Sequence, residues 1–257
     1  MMNYMDFNCF SGNWPFYKVR YNTVEKLAAQ HKRIGVTGGV ISSLEAIFYQ
    51  DPYEAELALA KELEGTDYLH AMILNPRLPG WKDDLHRAQR DLNIKAVRLV
   101  PGFQGYTLAD PVLEEVAADL RMYGLPVILT LRMRDERTMW MLQPENVSME
   151  DLQGFLDKYP DIPTVVTHIR AAEAEKLSPQ FVARENLFVD ISGFKDGLFV
   201  LDRMATESAA RGHLVYGSGA PLMEMQATTL QIDTAQIPEE VKTEIFGGEK
   251  LLAYLPK

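Results

Sequence analysis

The sequence predicts an α/β protein that folds as a single (β/α)₈ TIM barrel with extra helices near its C-terminus. Strand-like apolar runs alternate with helical segments at a period of roughly 30 residues, which favours a closed barrel over an open sheet. The length of 257 residues is that of one barrel domain, so we expect one domain over residues 1–257. No Gly-x-Gly-x-x-Gly motif follows a strand, so the alternative, an open dinucleotide-binding sheet, lacks its fingerprint.

Each predicted strand is a short apolar or β-branched run that ends at a turn signal. The first run stops at Ser11-Gly12-Asn13, the third at Asn75-Pro76 and the fourth at Pro101-Gly102. The predicted strands are residues 4–10, 36–43, 68–74, 95–100, 126–132, 164–168, 187–192 and 213–216. In a barrel of this kind the carboxyl ends of the strands form the mouth, where functional side chains are expected.

The predicted helices begin at capping residues or proline, and several end at glycine. Asn22 and Glu25 have the spacing of a capping box, Asp51-Pro52 opens a second helix, and Ser148 caps a later one. Glycines follow three predicted helix ends, at Gly35, Gly65 and Gly124. The predicted helices are residues 22–34, 51–64, 81–92, 110–123, 149–158, 171–177, 197–211, 223–230, 238–246 and 249–255.

Polar side chains alternate along the first strand. Because successive side chains of a strand point to opposite faces, Asp6, Asn8 and Phe10 are predicted to face the barrel interior, and Phe7 and Cys9 the helices. Cys9 is therefore predicted to be a small buried hydrophobe and not a nucleophile.

Composition excludes several classes of function. The formal charge of −10, from 36 acidic and 26 basic residues, disfavours nucleic acid as a partner. No apolar run approaches the roughly 18 residues of a membrane span, and no basic segment precedes an apolar one at the start. One cysteine gives no disulfide framework. We therefore expect a cytoplasmic protein without a membrane partner.

The pattern Asp6-x-Asn8-x-Phe10 resembles the opening strand of the amidohydrolase superfamily, in its amidohydrolase-related branch, where the pattern is Asp-x-His-x-His. The resemblance implies a TIM barrel with hydrolase or related lyase activity and a divalent metal such as zinc. Residues 13–16 and 130–137 are similar to a divergent branch to which we assign no reaction. Further segments resemble the family in the expected order, at residues 95–101, 124–130, 185–192, 217–221 and 246–249.

The positions that would bind the metal have changed chemistry. The resemblance places two imidazoles of the first strand at Asn8 and Phe10, a third imidazole at Thr130 and a carboxylate at Gly219. Phenylalanine has no lone pair to donate, and a neutral amide oxygen suits harder cations than zinc. We therefore expect no metal cofactor.

His168 is the only one of the five histidines that closes a predicted strand at the mouth. The others fall inside helices, at His31 and His86, or at strand starts, at His70 and His213. A mononuclear zinc or other divalent metal bound by Asp6 and His168 is the alternative that the resemblance keeps open.

The predicted site is polar and partly cationic. His168 and Asp6 are the predicted catalytic residues, since an imidazole near neutrality or a carboxylate can move protons. Arg132 is predicted to orient an anion, because a guanidinium fork matches a carboxylate. The further predicted substrate-binding residues are Asn8, Arg98, Thr130, Arg137, Asp190 and Ser218.

Structural explanations compete with each assignment. Residues 134–137 are equally well explained as a self-paired charge cluster. His168 could be a rim histidine bonded to Asp190, with Asp6 and Asp190 in a purely structural network, and Ser218 could serve only turn geometry. The loops at residues 14–17 and 133–147, the second containing Trp140, could cover a ligand or bury against a second subunit in a homo-oligomer.

Three functions follow from these observations. The first is a metal-independent relative of the amidohydrolases that binds a small, carboxylate-bearing molecule at the barrel mouth, with hydrolase or lyase chemistry if it is an enzyme. The second is a mononuclear metal-dependent hydrolase. The third is a non-catalytic binding or oligomer-forming scaffold.

Overall fold

A computed structural model describes residues 4–134, 144–196, 199–207 and 210–257. Arg137, Trp140 and the start of the helix predicted at residues 197–211 lie outside the described residues. None of the described helices is both long and apolar enough to span a membrane.

Eight parallel strands form one sheet in the order of the sequence. The strands are β1 Tyr4–Ser11, β2 Val36–Ser43, β3 Tyr68–Ile73, β4 Ala96–Leu99, β5 Val127–Thr130, β6 Thr164–Thr167, β7 Leu187–Asp190 and β8 Leu214–Val215. Backbone hydrogen bonds join the first strand to the last, from Phe7 N to Tyr216 O at 2.9 Å and from Gly219 N to Asn8 O at 2.7 Å. The predicted (β/α)₈ barrel is therefore confirmed, and the open sheet is excluded.

Helices connect the strands and pack on the outside of the sheet. They are α1 Val24–Arg33, α2 Pro52–Leu63, α3 Trp81–Asp91, α4 Pro101–Gln104, α5 Val112–Tyr123, α6 Met149–Lys158, α7 Ala171–Glu175, α8 Ser178–Ala183, α9 Val200–Thr206, α10 Met225–Thr234, α11 Glu239–Gly247 and α12 Glu249–Leu252. The last three are the predicted C-terminal helices.

The predicted cap chemistry is present at α6 but not at α1, and Asp51 precedes α2 without a side-chain cap hydrogen bond. Ser148 Oγ accepts from Asp151 N at 3.0 Å, as predicted for the start of α6. The cap of α1 is Thr23, whose Oγ1 accepts from Lys26 N at 3.3 Å, and not the predicted Asn22. The Asn22 side chain instead donates to Asn13 Oδ1 and accepts from Lys26 Nζ, both at 2.9 Å.

The first strand contains a register shift that the alternation rule did not predict. Asp6 pairs with Gly39 and Cys9 with Ile41, so β1 has one residue more than β2 over this interval. An extra residue of this kind is a β-bulge, which re-aims the side chains around it. Phe7 and Asn8 consequently both contact residues of the barrel interior.

The predicted inward orientation of Asp6 is wrong for this reason. Its carboxylate lies between β1, the turn after β8 and helix α1, where Ser218 and His31 contact it. Cys9 is fully buried against Val24 and Leu27 of α1, which confirms its predicted packing. Burial raises the pKa of its thiol well above the ordinary value, so Cys9 is a core residue.

The barrel interior is layered along its axis. The lower layer is apolar and is closed from below by Leu251 of α12; it comprises Phe7, Val40, Ala71, Ala96, Ile128, Val165, Phe188 and Val215. A polar layer follows at the carboxyl ends of the strands. Above it, Phe10 packs with Trp14, Val100 and Met133, and the rings of Phe16, Phe48 and Phe103 join this cluster. The first loop thus covers the mouth of its own barrel.

Candidate functional site at the barrel mouth

Asn8 is the centre of the polar layer. Its Oδ1 accepts from Arg98 Nη1 at 2.7 Å, and its Nδ2 donates to Asp190 Oδ2 at 2.9 Å. The same Nδ2 lies 2.9 Å from His168 Nε2. The amide therefore links a cation, a carboxylate and an imidazole, which brings four of the predicted site residues together.

Arg98 is completely buried at the carboxyl end of β4. Its Nε donates to Ser42 Oγ at 2.8 Å, and its Nη1 donates also to Thr130 Oγ1 at 3.2 Å. The Phe10 ring covers the guanidinium, with its centroid 4.5 Å from Cζ. Burial lowers the pKa of Arg98 to about 10, so the side chain is still a cation at neutral pH.

His168 is held as a neutral imidazole. Its Nδ1 contacts the Arg132 carbonyl at 2.6 Å; this atom must donate there, so Nε2 is left to accept from Asn8. Burial lowers the pKa of His168 to about 3, with the backbone bond to Arg132 acting in the opposite direction. An imidazole with this pKa is a poor proton acceptor near neutrality, and its lone pair is already engaged.

The backbone at His168 is unusual. Its φ of 56° is in the left-handed region, which non-glycine residues rarely adopt. The amide N–H donates to Asp190 Oδ1 at 2.8 Å and holds this conformation. The predicted contact between His168 and Asp190 therefore exists, but through the backbone and not through the ring. Burial raises the pKa of Asp190, although hydrogen bonds from Ser192 and Asn8 act against this effect.

Asp6 and Ser218 belong to a second buried network that does not open to the mouth. Asp6 Oδ1 accepts from Asn8 N at 3.0 Å and from Ser218 N at 2.9 Å, while Ser218 Oγ donates to Oδ2. His31 Nε2 lies 3.0 Å from Oδ2, but its N–H is not aligned for a hydrogen bond. His31 Nδ1 is 2.6 Å from the Tyr68 hydroxyl. This network ties the ends of β1 and β8 to helix α1.

Arg132, the predicted anion-binding residue, is paired within the chain. Its Nη1 and Nη2 donate to the two carboxylate oxygens of Glu173 at 2.8 and 2.9 Å, and Nη1 donates also to the His168 carbonyl at 2.8 Å. Glu173 was not predicted as a site residue. It lies three residues after Arg170, the N-cap of α7, and its carboxylate accepts a hydrogen bond from the Arg170 backbone N–H at 2.9 Å. This capping-box spacing is the signal that could have identified it.

Ser42 was also missed. It lies at the carboxyl end of β2, where a polar residue on the inward face should have been included among the mouth residues. Its Oγ accepts from Arg98 and donates to the Ala71 carbonyl at 2.7 Å.

A cavity of about 270 Å³ lies at the carboxyl ends of β4 and β5. Thr130 forms part of its wall and connects it to Arg98 through the hydrogen bond to Nη1. The Arg134 guanidinium also lines it and lies over the Tyr17 ring, with Cζ 4.3 Å from the centroid. The other lining residues are Val100, Gly102, Phe103, Leu131, Arg132, Met133, Pro144, Glu145 and Asn146.

A parallel barrel with a buried polar layer and an adjoining cavity at its mouth has the architecture of a TIM-barrel enzyme. A family model described as Amidohydrolase matches residues 7–252, and the chain belongs to this amidohydrolase family. The resemblance predicted from the first strand is thereby confirmed. Comparison with curated proteins gave no match.

Solved structures share the fold. A TIM-barrel protein from Bordetella bronchiseptica has a TM-score of 0.74 at 16% identity, over 98% of this chain and 99% of that one. A 5-carboxyvanillate decarboxylase from Sphingomonas paucimobilis has a TM-score of 0.73 at 14% identity, over 99% of each chain. A dihydroxybenzoic acid decarboxylase from Polaromonas sp. JS666, with bound manganese and the inhibitor 2-nitroresorcinol, has a TM-score of 0.73 at 13% identity, over 99% and 97%. At these identities the likeness establishes the fold.

The residues of this mouth do not fit a divalent metal. The described residues contain no group of three or more His, Cys, Asp or Glu side chains able to hold one. Arg98 Nη1 lies between Asn8 and Thr130, two of the positions that the family resemblance assigns to ligands, so a positive charge is already present there. At Gly219 a Cβ would lie 2.6 Å from His168 Nε2 and 3.0 Å from Met223 Sδ, which leaves no room for a ligating carboxylate.

Proposed function

We propose that this protein is a metal-independent member of the amidohydrolase family that binds a small carboxylate-bearing molecule at the barrel mouth. The observation that carries the proposal is the cavity lined by Thr130, Arg132 and Arg134 at the strand ends. Its volume of about 270 Å³ suits a small molecule.

Charge supports an anionic ligand. The chain as a whole has a formal charge of −10, yet the Arg134 guanidinium lines this cavity, and the buried Arg98 is joined to its wall through Thr130. Glu145 also lines the cavity, and Glu173 neutralises Arg132. A positive charge at a cleft attracts oppositely charged ligands. A carboxylate also matches the geometry of guanidinium N–H groups.

The relatives suggest the substrate class. Two of the structurally similar proteins are decarboxylases named for 5-carboxyvanillate and dihydroxybenzoic acid, both of which are aromatic carboxylates. We therefore propose lyase or hydrolase chemistry on a small aromatic carboxylate. The neutral His168 imidazole is proposed to orient Asn8 and not to carry a proton, because both of its ring nitrogens are engaged.

A thermal-shift assay tests the proposal directly. Benzoate and 2-hydroxybenzoate are expected to raise the melting temperature of the wild-type protein, whereas the uncharged benzamide is not, because a ligand selective for the folded state stabilises it. The Arg134→Gln variant is expected to respond more weakly, and Arg211→Gln, on the surface far from the mouth in its pair with Glu244, is the matched control. No carboxylate-dependent shift in the wild type would refute the proposed function.

The second candidate is a mononuclear metal-dependent enzyme, favoured by the manganese in one structurally similar protein. Elemental analysis of the purified protein separates the two. We expect far less than one equivalent of manganese or zinc. Close to one equivalent, lost in His168→Ala, would establish the metal-dependent alternative.

A further inference from the structure

Among the described residues, no carboxylate contacts the positively charged guanidinium of Arg98. Its hydrogen bonds go to the hydroxyls of Ser42 and Thr130 and to the amide oxygen of Asn8, all of which are uncharged groups. Asp190 is linked to it only through Asn8, and that carboxylate is already engaged by Ser192 and the His168 amide. A buried charge is stable only when it is paired and fully hydrogen-bonded.

The unpaired N–H groups of this guanidinium are both on Nη2. A guanidinium has five, of which Nε–H serves Ser42 and the two on Nη1 serve Asn8 and Thr130. Nη2 is buried and has no hydrogen-bond partner among the described residues. Two N–H groups of a buried cation therefore lack an acceptor among the described residues; Arg98 does not itself line the cavity, and Thr130 lies between them.

Arg132 and Arg134, which line the cavity, differ from Arg98 in the groups that surround their charge. Arg132 also has one buried N–H without a partner, at Nε, but both oxygens of Glu173 neutralise its charge. Arg134 lies over the Tyr17 ring at the side of the cavity. Of the three described arginines at the mouth, Arg98 is thus the one that lacks both a contacting carboxylate and a full set of hydrogen bonds.

We propose that Nη2 of Arg98 is the anchor for the carboxylate group of the ligand, so that a guanidinium built into β4 provides the positive charge in place of a divalent metal ion. This inference rests on the proposed function and specifies which residue recognises the anion. Thr130 connects the anchor to the cavity, since it lines the cavity and accepts from Nη1. The ligand class is the small aromatic carboxylate of the proposed function.

Isothermal titration with benzoate tests the anchor. Arg98→Met keeps the length of the side chain and removes the charge, and is expected to weaken binding by about 30-fold or more, as for the loss of one partner of a buried charge pair. Arg98→Lys keeps the positive charge but loses the forked arrangement of N–H groups. Its benzoate affinity is expected to lie between those of the wild type and Arg98→Met. Arg134→Gln, at the cavity edge, is expected to weaken binding by about fivefold or less. Affinity for Arg98→Met within threefold of the wild type would overturn the inference.

Two measurements on the wild type keep the test independent of variant folding. In a crystal structure with benzoate, we expect a carboxylate oxygen at hydrogen-bond distance from Arg98 Nη2; a carboxylate bound to Arg132 or Arg134 instead would overturn the inference. Removal of divalent ions with EDTA is expected to leave benzoate affinity unchanged, and a loss of binding would overturn the metal-free anchor. If the wild type binds no carboxylate at all, the proposed function itself fails; if it binds but not through Arg98, only this inference fails.

Discussion

Two buried polar networks lie around the bulge in β1, and they differ in how completely the central charged group of each is hydrogen-bonded. The Asp6 network joins β1 to the turn after β8, and its carboxylate accepts hydrogen bonds from Asn8, Ser218 N and Ser218 Oγ. The Arg98 network faces the mouth, and its guanidinium leaves Nη2 without an acceptor among the described residues. The first joins the two ends of the barrel sheet, and the second contains the charge that we propose binds the ligand.

The comparison shows that burial and polarity alone do not identify a site. Asp6, Asn8 and Arg98 are all completely buried. A buried charged group whose hydrogen bonds are made stabilises one structure, whereas a buried charged group with unpaired N–H groups marks a place where another group is needed. The residue with the missing partner is therefore the better candidate for binding.

The largest expected effect is on the Asp6 network. Asp6→Ala leaves three buried donors without their acceptor and is expected to lower the free energy of unfolding by about 3 kcal/mol or more. Urea unfolding followed by circular dichroism measures this loss, with Ser218→Ala as a milder companion. If Asp6→Ala is as stable as the wild type but cannot bind carboxylates, then Asp6 belongs to the binding site and the division between the networks is wrong.

The next largest effect is expected at Gly219, where an added side chain meets His168. Gly219→Ala combines a positive φ of 68° with a Cβ 2.6 Å from Nε2, and is expected to cost about 2–4 kcal/mol of unfolding free energy. Gly105→Ala is the matched control, since its φ is 70° and nothing lies within 4 Å of its Cβ. It should cost only about 1 kcal/mol, the strain of the left-handed backbone alone. Equal losses of unfolding free energy in the two variants would mean that the His168 ring moves aside easily and is not held in place.

A third prediction concerns pH and the neutral state of His168. In the unfolded chain a histidine binds a proton below about pH 6.5, whereas the folded imidazole resists protonation until about pH 3. The unfolded state therefore gains protons first, and folding stability should fall as the pH is lowered from about 6.5 towards 3. The raised pKa of Asp190 acts in the opposite sense above about pH 4, so a comparison with a variant is needed.

The variant for this comparison is His168→Asn, because asparagine tolerates the left-handed backbone better than most residues. Between pH 6 and 4 the wild type is expected to lose about 1 kcal/mol per pH unit more than His168→Asn. Urea unfolding at fixed pH values measures both slopes. Parallel slopes would show that the folded imidazole takes up a proton freely, and would restore His168 as a candidate proton carrier.

The smallest expected effect concerns Arg132 and Glu173, whose side chains are 10% and 19% exposed. A double-mutant cycle with Arg132→Gln and Glu173→Gln is expected to give a coupling of about 1 kcal/mol in stability. Benzoate affinity should change by less than threefold, because the pair neutralises itself. A large loss of benzoate affinity in Arg132→Gln at unchanged stability would identify Arg132 as the anchor, as predicted from the sequence. It would contradict the assignment of that role to Arg98.

Local patterns were sufficient for the eight strands, for most of the helices and for some individual residues, whereas the short helices α4 and α8 were not predicted. The α6 cap at Ser148 and the burial of Cys9 followed from the sequence because each depends on residues within a few positions. The orientation of Asp6 did not follow, since one extra residue between Asp6 and Cys9 changes the alternation rule. Nothing within β1 itself signals where this bulge falls.

The sequence named several residues that the structure places in contact, but it did not give their hydrogen-bond partners. Asn8, Arg98, Thr130, His168 and Asp190 were all named from strand ends, and the structure brings them into one network. Arg132 was predicted to be the main anion-binding residue. Strand parity cannot reveal that both of its terminal nitrogens donate to Glu173 of α7, 41 positions away. Arg137 and the Trp140 loop lie outside the described residues and stay predictions.

The sequence by itself determined the order of the eight strands, most of the helices and the family, because periodicity, capping and motif spacing are local properties of the chain. Only the tertiary structure decided that Asp6 belongs to the barrel closure and that Arg98 is left with an open hydrogen-bonding edge. The reason is that hydrogen-bond partners are set by proximity in space: Asn8 meets Asp190 across 182 positions of sequence, a distance over which no pattern in the chain specifies which donors will find acceptors.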